Sequence, residues 1–190
     1  MNTEATAAND RLRYRDLVRI ALFAALIAVM GLIPKVDLPF TAGVPITAQT
    51  LGVMLAGLIL GPRLGALAVL LFLFVVALGA PVLSGGRGGL GVFFGPTIGF
   101  LVGWVFGAIA CGLIRNKLDA FFPRHPFVSA LIAASVGGIL VIYAFGIPGI
   151  SWRTELTLDK AAMASAIFIP GDILKSILAA WLVTKIRWSR

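Results

Sequence analysis

LGALAVLLFLFVVALGA, residues 64–80, contains no charged and no polar side chain. From Leu67 to Leu78 the apolar run is unbroken. A membrane-barrel strand alternates apolar and polar residues, whereas a helix facing lipid is apolar throughout. A hydrocarbon core of ~30 Å needs ~17–25 helical residues to cross. The stretch therefore reads as a membrane helix, on the short side.

Outward from it, five further apolar segments run over 17–34, 47–61, 95–114, 127–148 and 161–185. Each is bounded by charged residues or by Pro and Gly. The whole composition agrees, with 59% hydrophobic and 13% charged residues among 190. Mean hydropathy is +1.01. A soluble domain of this size exposes far more charge. The expected fold class is all-α, a compact bundle of six transmembrane helices. One domain over 17–186 is expected, between an N-terminal tail (1–16, its first 15 residues frayed) and a C-terminal tail (187–190). Only Pro62 and Arg63 separate 47–61 from 64–80, which predicts a tight helical hairpin. The first apolar run follows a basic flank, Arg11 to Arg19, as a signal peptide would. Five more runs follow it, so it reads as a retained helix.

The formal net charge of +8 raises the question of nucleic acid. The cations instead sit in short gaps between apolar runs, as topology signals do. With the N-terminus inside, inner segments hold Arg11, Arg13, Arg15, Arg19, Arg63, Arg115, Lys117, Arg124, Lys185, Arg187 and Arg190. Outer segments hold only Lys35, Arg87, Arg153 and Lys160. Both termini are expected to be cytoplasmic. Trp104, Trp152, Trp181 and Trp188 suit interfacial anchoring, with a deeper place open for Trp104 and Trp181. Cys111 and His125 are the single cysteine and histidine, so no disulfide framework and no soft-ligand metal site is expected.

Gly95, Gly99, Gly103 and Gly107, followed by Cys111, form a small-residue stripe where another helix can approach closely. Gly57, Gly61 and Gly65 repeat the spacing across the hairpin. Ala21 and Ala25 make a small-residue pair on the first helix, open to an outward partner contact or to internal packing.

Three places carry polar chemistry. Pro170, Gly171, Asp172 and Lys175 lie within the last apolar segment. Asp172 is eleven residues beyond Ala161, or roughly 16 Å along a helix. An ionised group at mid-membrane costs about 2.5–3.5 kcal/mol, so it faces a partner or a cavity. Residues three apart share a helix face, and both a structural ion pair and a pocket wall are open. Pro170 removes an N–H and kinks the helix beside them.

The second place is Ser84-Gly85-Gly86-Arg87-Gly88-Gly89-Leu90-Gly91, read as an outer loop. Gly86, Gly88 and their neighbours permit close backbone approach and an anion-binding nest, and Arg87 adds a bidentate carboxylate partner. A flexible connector is the other reading. If the loop serves the pocket, it is the expected lid. The third place is Thr47, Gln49 and Thr50. Gln49 can read an amide-like ligand or join two helices.

No phosphate-binding loop, zinc-protease helix or serine-hydrolase elbow occurs, and no catalytic residue is assigned. The residues alone thus lead to a six-helix protein with an outward-facing pocket for a small carboxylate-bearing ligand.

Three blocks in order resemble the BioY family, the biotin-specific substrate-binding components of energy-coupling factor (ECF) transporters. They are Val44-Pro45-Ile46-Thr47-Ala48-Gln49 with Gly52 to Gly57, then Gly79-Ala80-Pro81-Val82 through Arg87 to Gly95-Pro96-Thr97, then Pro170 to Lys175. Ile98 stands where the family pattern leads one to expect glycine. The resemblance implies biotin capture and uptake across the bacterial cytoplasmic (inner) membrane. It implies a transmembrane coupling subunit, contacted through Ala21 and Ala25, and two cytoplasmic ATPases that hydrolyse the ATP. It implies no cofactor and no nucleic acid. The expected substrate site is Arg87, Asp172, Lys175, Gln49, Thr47, Gly86 and Gly88. Two alternatives stand beside it: a subunit for another vitamin, and an intramembrane enzyme using Asp172 and Lys175.

Overall fold

The computed structural model describes residues 2–33 and 47–186, with side chains from Arg13 onward. Lys35, Val44 to Ile46, Trp188 and the tail 187–190 lie outside the described residues.

Every named element is helical. In chain order they are α1 (Asn2–Gly31), α2 (Gln49–Ala77), a 3-10 turn (Leu90–Phe94), α3 (Ile98–Phe121), α4 (Pro126–Ser135), a π-helical turn (Val136–Val141), α5 (Ile142–Thr154), α6 (Leu158–Ala166) and α7 (Ile169–Lys185). α1 reaches back to Asn2, so the polar stretch expected to fray is helical. α3 continues past its apolar segment through Arg115, Lys117 and Asp119, because charge ends a hydrocarbon span without ending a helix.

α2 is a hairpin. At Gly61 the backbone leaves the helical region (φ 83°, ψ −179°), and Pro62 starts the second arm. A positive φ favours glycine, and proline at a first helical position loses no hydrogen bond. A Cβ added at Gly65 would lie 2.8 Å from Ala56 O and 2.9 Å from Gly57 Cα. In one straight helix residues 57 and 65 stand about 12 Å apart, so the arms fold back on each other.

The described helices thus make six rods: α1, the two arms of α2, α3, the unbroken run through α4 and α5, and α6 with α7. Gln49–Ala77, Ile98–Phe121 and Pro126–Thr154 are each long and apolar enough to cross a membrane. The pair α6 and α7, bent by 55°, makes a fourth if taken as one span. Because α2 doubles back, each arm is shorter than a full crossing of ~20 residues.

The glycine stripe of α3 sets the packing. A Cβ at Gly99 would lie 2.8 Å from Gly149 Cα, and one at Gly103 2.8 Å from Ile142 O. One at Gly107 would meet Gly137 O at 2.8 Å. α3 therefore lies directly on α5 and the π-helical turn. Gly57 seats the first arm of α2 on Ala108 and Cys111 of the same helix. Cys111 is buried in this contact. The apolar interior forms two clusters, one around Phe72, Phe100 and Trp104, the other around Met54, Cys111 and Ala133.

Candidate ligand-binding site

α6 and α7 break at Ile167–Phe168, and α7 restarts with Pro170 in its first turn. The restart places Asp172 in the first turn of α7. The free N–H groups and dipole there favour a carboxylate. Asp172 is only 4% exposed. Its Oδ1 accepts from Lys175 Nζ at 2.8 Å and from Thr50 Oγ1 at 3.3 Å. Its Oδ2 accepts from Tyr143 OH at 2.7 Å. A carboxylate has about four acceptor positions, and three are used.

Lys175 also donates to Thr47 O at 2.6 Å and to Thr50 Oγ1 at 3.0 Å. With Asp172 these take all three ammonium donors. The ion pair ties α7 to the start of α2 and holds a buried negative charge with its counter-charge beside it.

Gln49 is fully buried. Its amide nitrogen donates to Ile27 O and Val82 O, both at 3.1 Å. Its Oε1 accepts from Ser84 N at 3.0 Å. One side chain thus fastens α1, α2 and the segment after α2 together. Thr47 Oγ1 caps the same junction, accepting from Gln49 N at 3.1 Å and from Ser84 Oγ at 2.6 Å.

The glycine loop is built on this junction. Leu83 and Arg87 pair across it, Leu83 N to Arg87 O at 3.0 Å and Arg87 N to Leu83 O at 3.2 Å. Gly85 (φ 80°) and Gly86 (φ 69°) make the turn between them. Arg87 Nε donates to Ser84 O at 3.3 Å. Held at its base by Gln49 and Thr47, the turn forms part of the wall.

Thr47, Gln49, Arg87, Asp172 and Lys175 all line one cavity, so five of the expected site residues meet. Gly86 is at the exposed tip of the turn, and Gly88 backs onto Ala80 O; neither lines the cavity. Ala21 and Ala25 lie apart, exposed on α1, while Ala24 is buried in the core. Among the described residues no acidic, His or Cys cluster is placed to hold a metal.

Sequence reasoning missed the aromatic lining. Phe100 meets Tyr143 edge-on at 5.8 Å between ring centres, and Phe168 edge-on at 6.4 Å. Trp104, set aside as an anchor or something deeper, is 4% exposed and lines the same cavity. Trp152 and Trp181 are exposed. A signal for Tyr143 was present: it is one of two tyrosines and stands inside an apolar run.

The arrangement offers an acceptor (Asp172), a basic residue on the loop side (Arg87) and apolar aromatic walls between. That suits a small ligand with N–H donors, an apolar body and an anionic end.

Comparison with known proteins agrees. The sequence pattern of the BioY family matches residues 2–190. The biotin transporter BioY of Rhizobium etli is 52% identical over 170 residues, covering 88% of this chain and 90% of that protein. Its counterpart in Rhodobacter capsulatus is 48% identical over 175 residues, covering 86% of this chain and 88% of that protein. A crystal structure of the S-component for biotin from an ECF-type ABC transporter superposes with a TM-score of 0.87 at 31% identity, covering 95% of this chain and 94% of that one.

Proposed function

Because the chain belongs to the BioY family, we propose that it binds biotin outside the membrane and serves its uptake as the S-component of an ECF-type transporter. It is a membrane transport protein and not an enzyme. The observation that carries the ligand reading is Asp172, buried on the cavity wall with three donors fixing it and one acceptor position left.

Biotin has a cyclic urea with two N–H groups and a carbonyl, an apolar thioether ring and an aliphatic carboxylate. The urea N–H fits the remaining acceptor position of Asp172. Phe100, Phe168 and Tyr143 suit the apolar ring. Arg87, in the turn after α2, suits the carboxylate. Lys175 spends its donors on protein atoms and acts as the counter-charge that keeps Asp172 ionised. Gln49 and Thr47 act as positioning residues that hold the turn bearing Arg87.

The excess of cations in the inner segments supports cytoplasmic termini in a bacterial cytoplasmic membrane. A ligand cannot raise its own free energy, so release inside requires a state of lower affinity driven from elsewhere. A transmembrane coupling subunit and two cytoplasmic ATPases would supply that drive. The exposed Ala21 and Ala25 face suits the coupling subunit.

The test is equilibrium dialysis of biotin with purified protein beside Asp172→Asn. One-to-one binding is expected, weakened by about 30- to 4,000-fold in the variant. Thiamine and riboflavin are expected not to compete. Folded wild-type protein that fails to bind biotin would refute the ligand, and unchanged affinity in Asp172→Asn would refute the site.

A further inference from the structure

Lys175 has no donor left for a ligand, and Tyr143 gives its proton to Asp172. One donor in the cavity wall has no such engagement. The indole N–H of Trp104 is buried and has no hydrogen-bond partner. A buried N–H without an acceptor costs more than a bond it merely lacks, and no water relieves it inside a bilayer.

Its level in the bundle says which part of a ligand it meets. Gly103 packs on Ile142, so Trp104 lies level with Ile142 and Tyr143. Tyr143 in turn holds Asp172. Thr97 lies about 10 Å away along α3, toward the loop that carries Arg87. Trp104 and Asp172 thus share one end of the cavity, and Arg87 belongs to the other. Phe72 backs the indole at 6.1 Å between ring centres.

Resting on the biotin reading, we propose that Trp104 is a specificity-determining residue whose indole N–H donates to the urea carbonyl oxygen. Asp172 reads the urea N–H and Trp104 reads its oxygen. A ligand head that offers donors but no acceptor leaves the indole unpaired and binds weakly. Discrimination of this kind is strong because it leaves a buried polar group unsatisfied.

Trp104→Phe keeps an aromatic face against Phe72 and removes only the N–H. Its affinity is measured by equilibrium dialysis for biotin and for 2-thiobiotin, whose sulfur is a poor acceptor. The expected result is about tenfold weaker binding of biotin and less than about twofold change for the thio analogue. Equal losses for both ligands would assign Trp104 to packing and overturn the proposal. Unchanged biotin affinity would overturn it while leaving the biotin reading intact. Wild-type protein that binds no biotin would remove both. A measurement without a variant uses protein with 15N-labelled indoles. One of the four tryptophan N–H signals is expected to move downfield with biotin and less with 2-thiobiotin, and four unmoved signals would overturn the proposal.

Discussion

Tyr143 OH donates to Asp172 Oδ2 at 2.7 Å, joining residues 29 apart on two helices. The bond fixes the rotamer of the acid that faces the cavity. It also reaches Asp172 from just beyond the π-helical turn, whose extra residue per turn shifts the register of every side chain that follows. Tyr143→Phe is expected to leave the fold intact and weaken biotin binding about tenfold, or ~1.4 kcal/mol. Dialysis beside a thermal melt separates the two effects. Wild-type affinity in the variant would show that Asp172 needs no such support.

Gln49 makes a different kind of claim. Gln49→Leu keeps the volume and removes three hydrogen bonds, leaving Ile27 O, Val82 O and Ser84 N unpaired. Each unpaired buried group costs about 1–3 kcal/mol. The variant should melt several degrees lower in detergent and bind biotin more weakly, since the turn bearing Arg87 loses its anchor. A melt like wild type would contradict the positioning role.

Two glycines give opposite expectations. A Cβ at Gly149 would sit 2.6 Å from Gly99 Cα, and neither backbone can yield without parting α3 from α5. Gly149→Ala should destabilise by about 1–3 kcal/mol, as overpacking does. A Cβ at Gly171 meets nothing within 4 Å. Gly171→Ala, at a helical position, should be neutral or mildly stabilising. Reading both melts side by side tests the packing of the bundle directly.

For the partner face, Ala21→Trp with Ala25→Trp enlarges two exposed positions far from the cavity. Biotin affinity of the lone subunit should not change. Recovery of the coupling subunit and ATPases in a pull-down should fall sharply. Full recovery would place the coupling face elsewhere.

Orientation can be tested with an impermeant maleimide on intact cells, because Cys111 is buried and gives little background. Lys160→Cys is expected to label and Lys117→Cys to label only after lysis; both positions are exposed. The reverse pattern would invert the topology.

The six rods were legible in the chain because each membrane segment must be apolar throughout. The charge-free stretch at 64–80 declares itself without any knowledge of its neighbours. The hairpin was legible from Gly61 and Pro62, whose backbone preferences act locally. The short arms were legible too, and the family blocks pointed to biotin. What lay beyond the sequence was which polar groups satisfy one another.

Gln49 offered two readings as a residue type, ligand reader or interhelical clamp. Only the approach of Ile27, Val82 and Ser84 shows its amide engaged by backbone. Lys175 looked like a ligand donor until Thr47 and Thr50 arrived from 128 and 125 residues away to take its protons. Tyr143 and Trp104 were lost among apolar neighbours. Periodicity reports which face of a helix is buried, but not whether that face meets a cavity or another side chain. The sequence by itself determined that this chain is a membrane bundle with a buried Asp172 to satisfy. Tertiary packing, by spending some donors and leaving one unspent, decided which residues remain for a ligand.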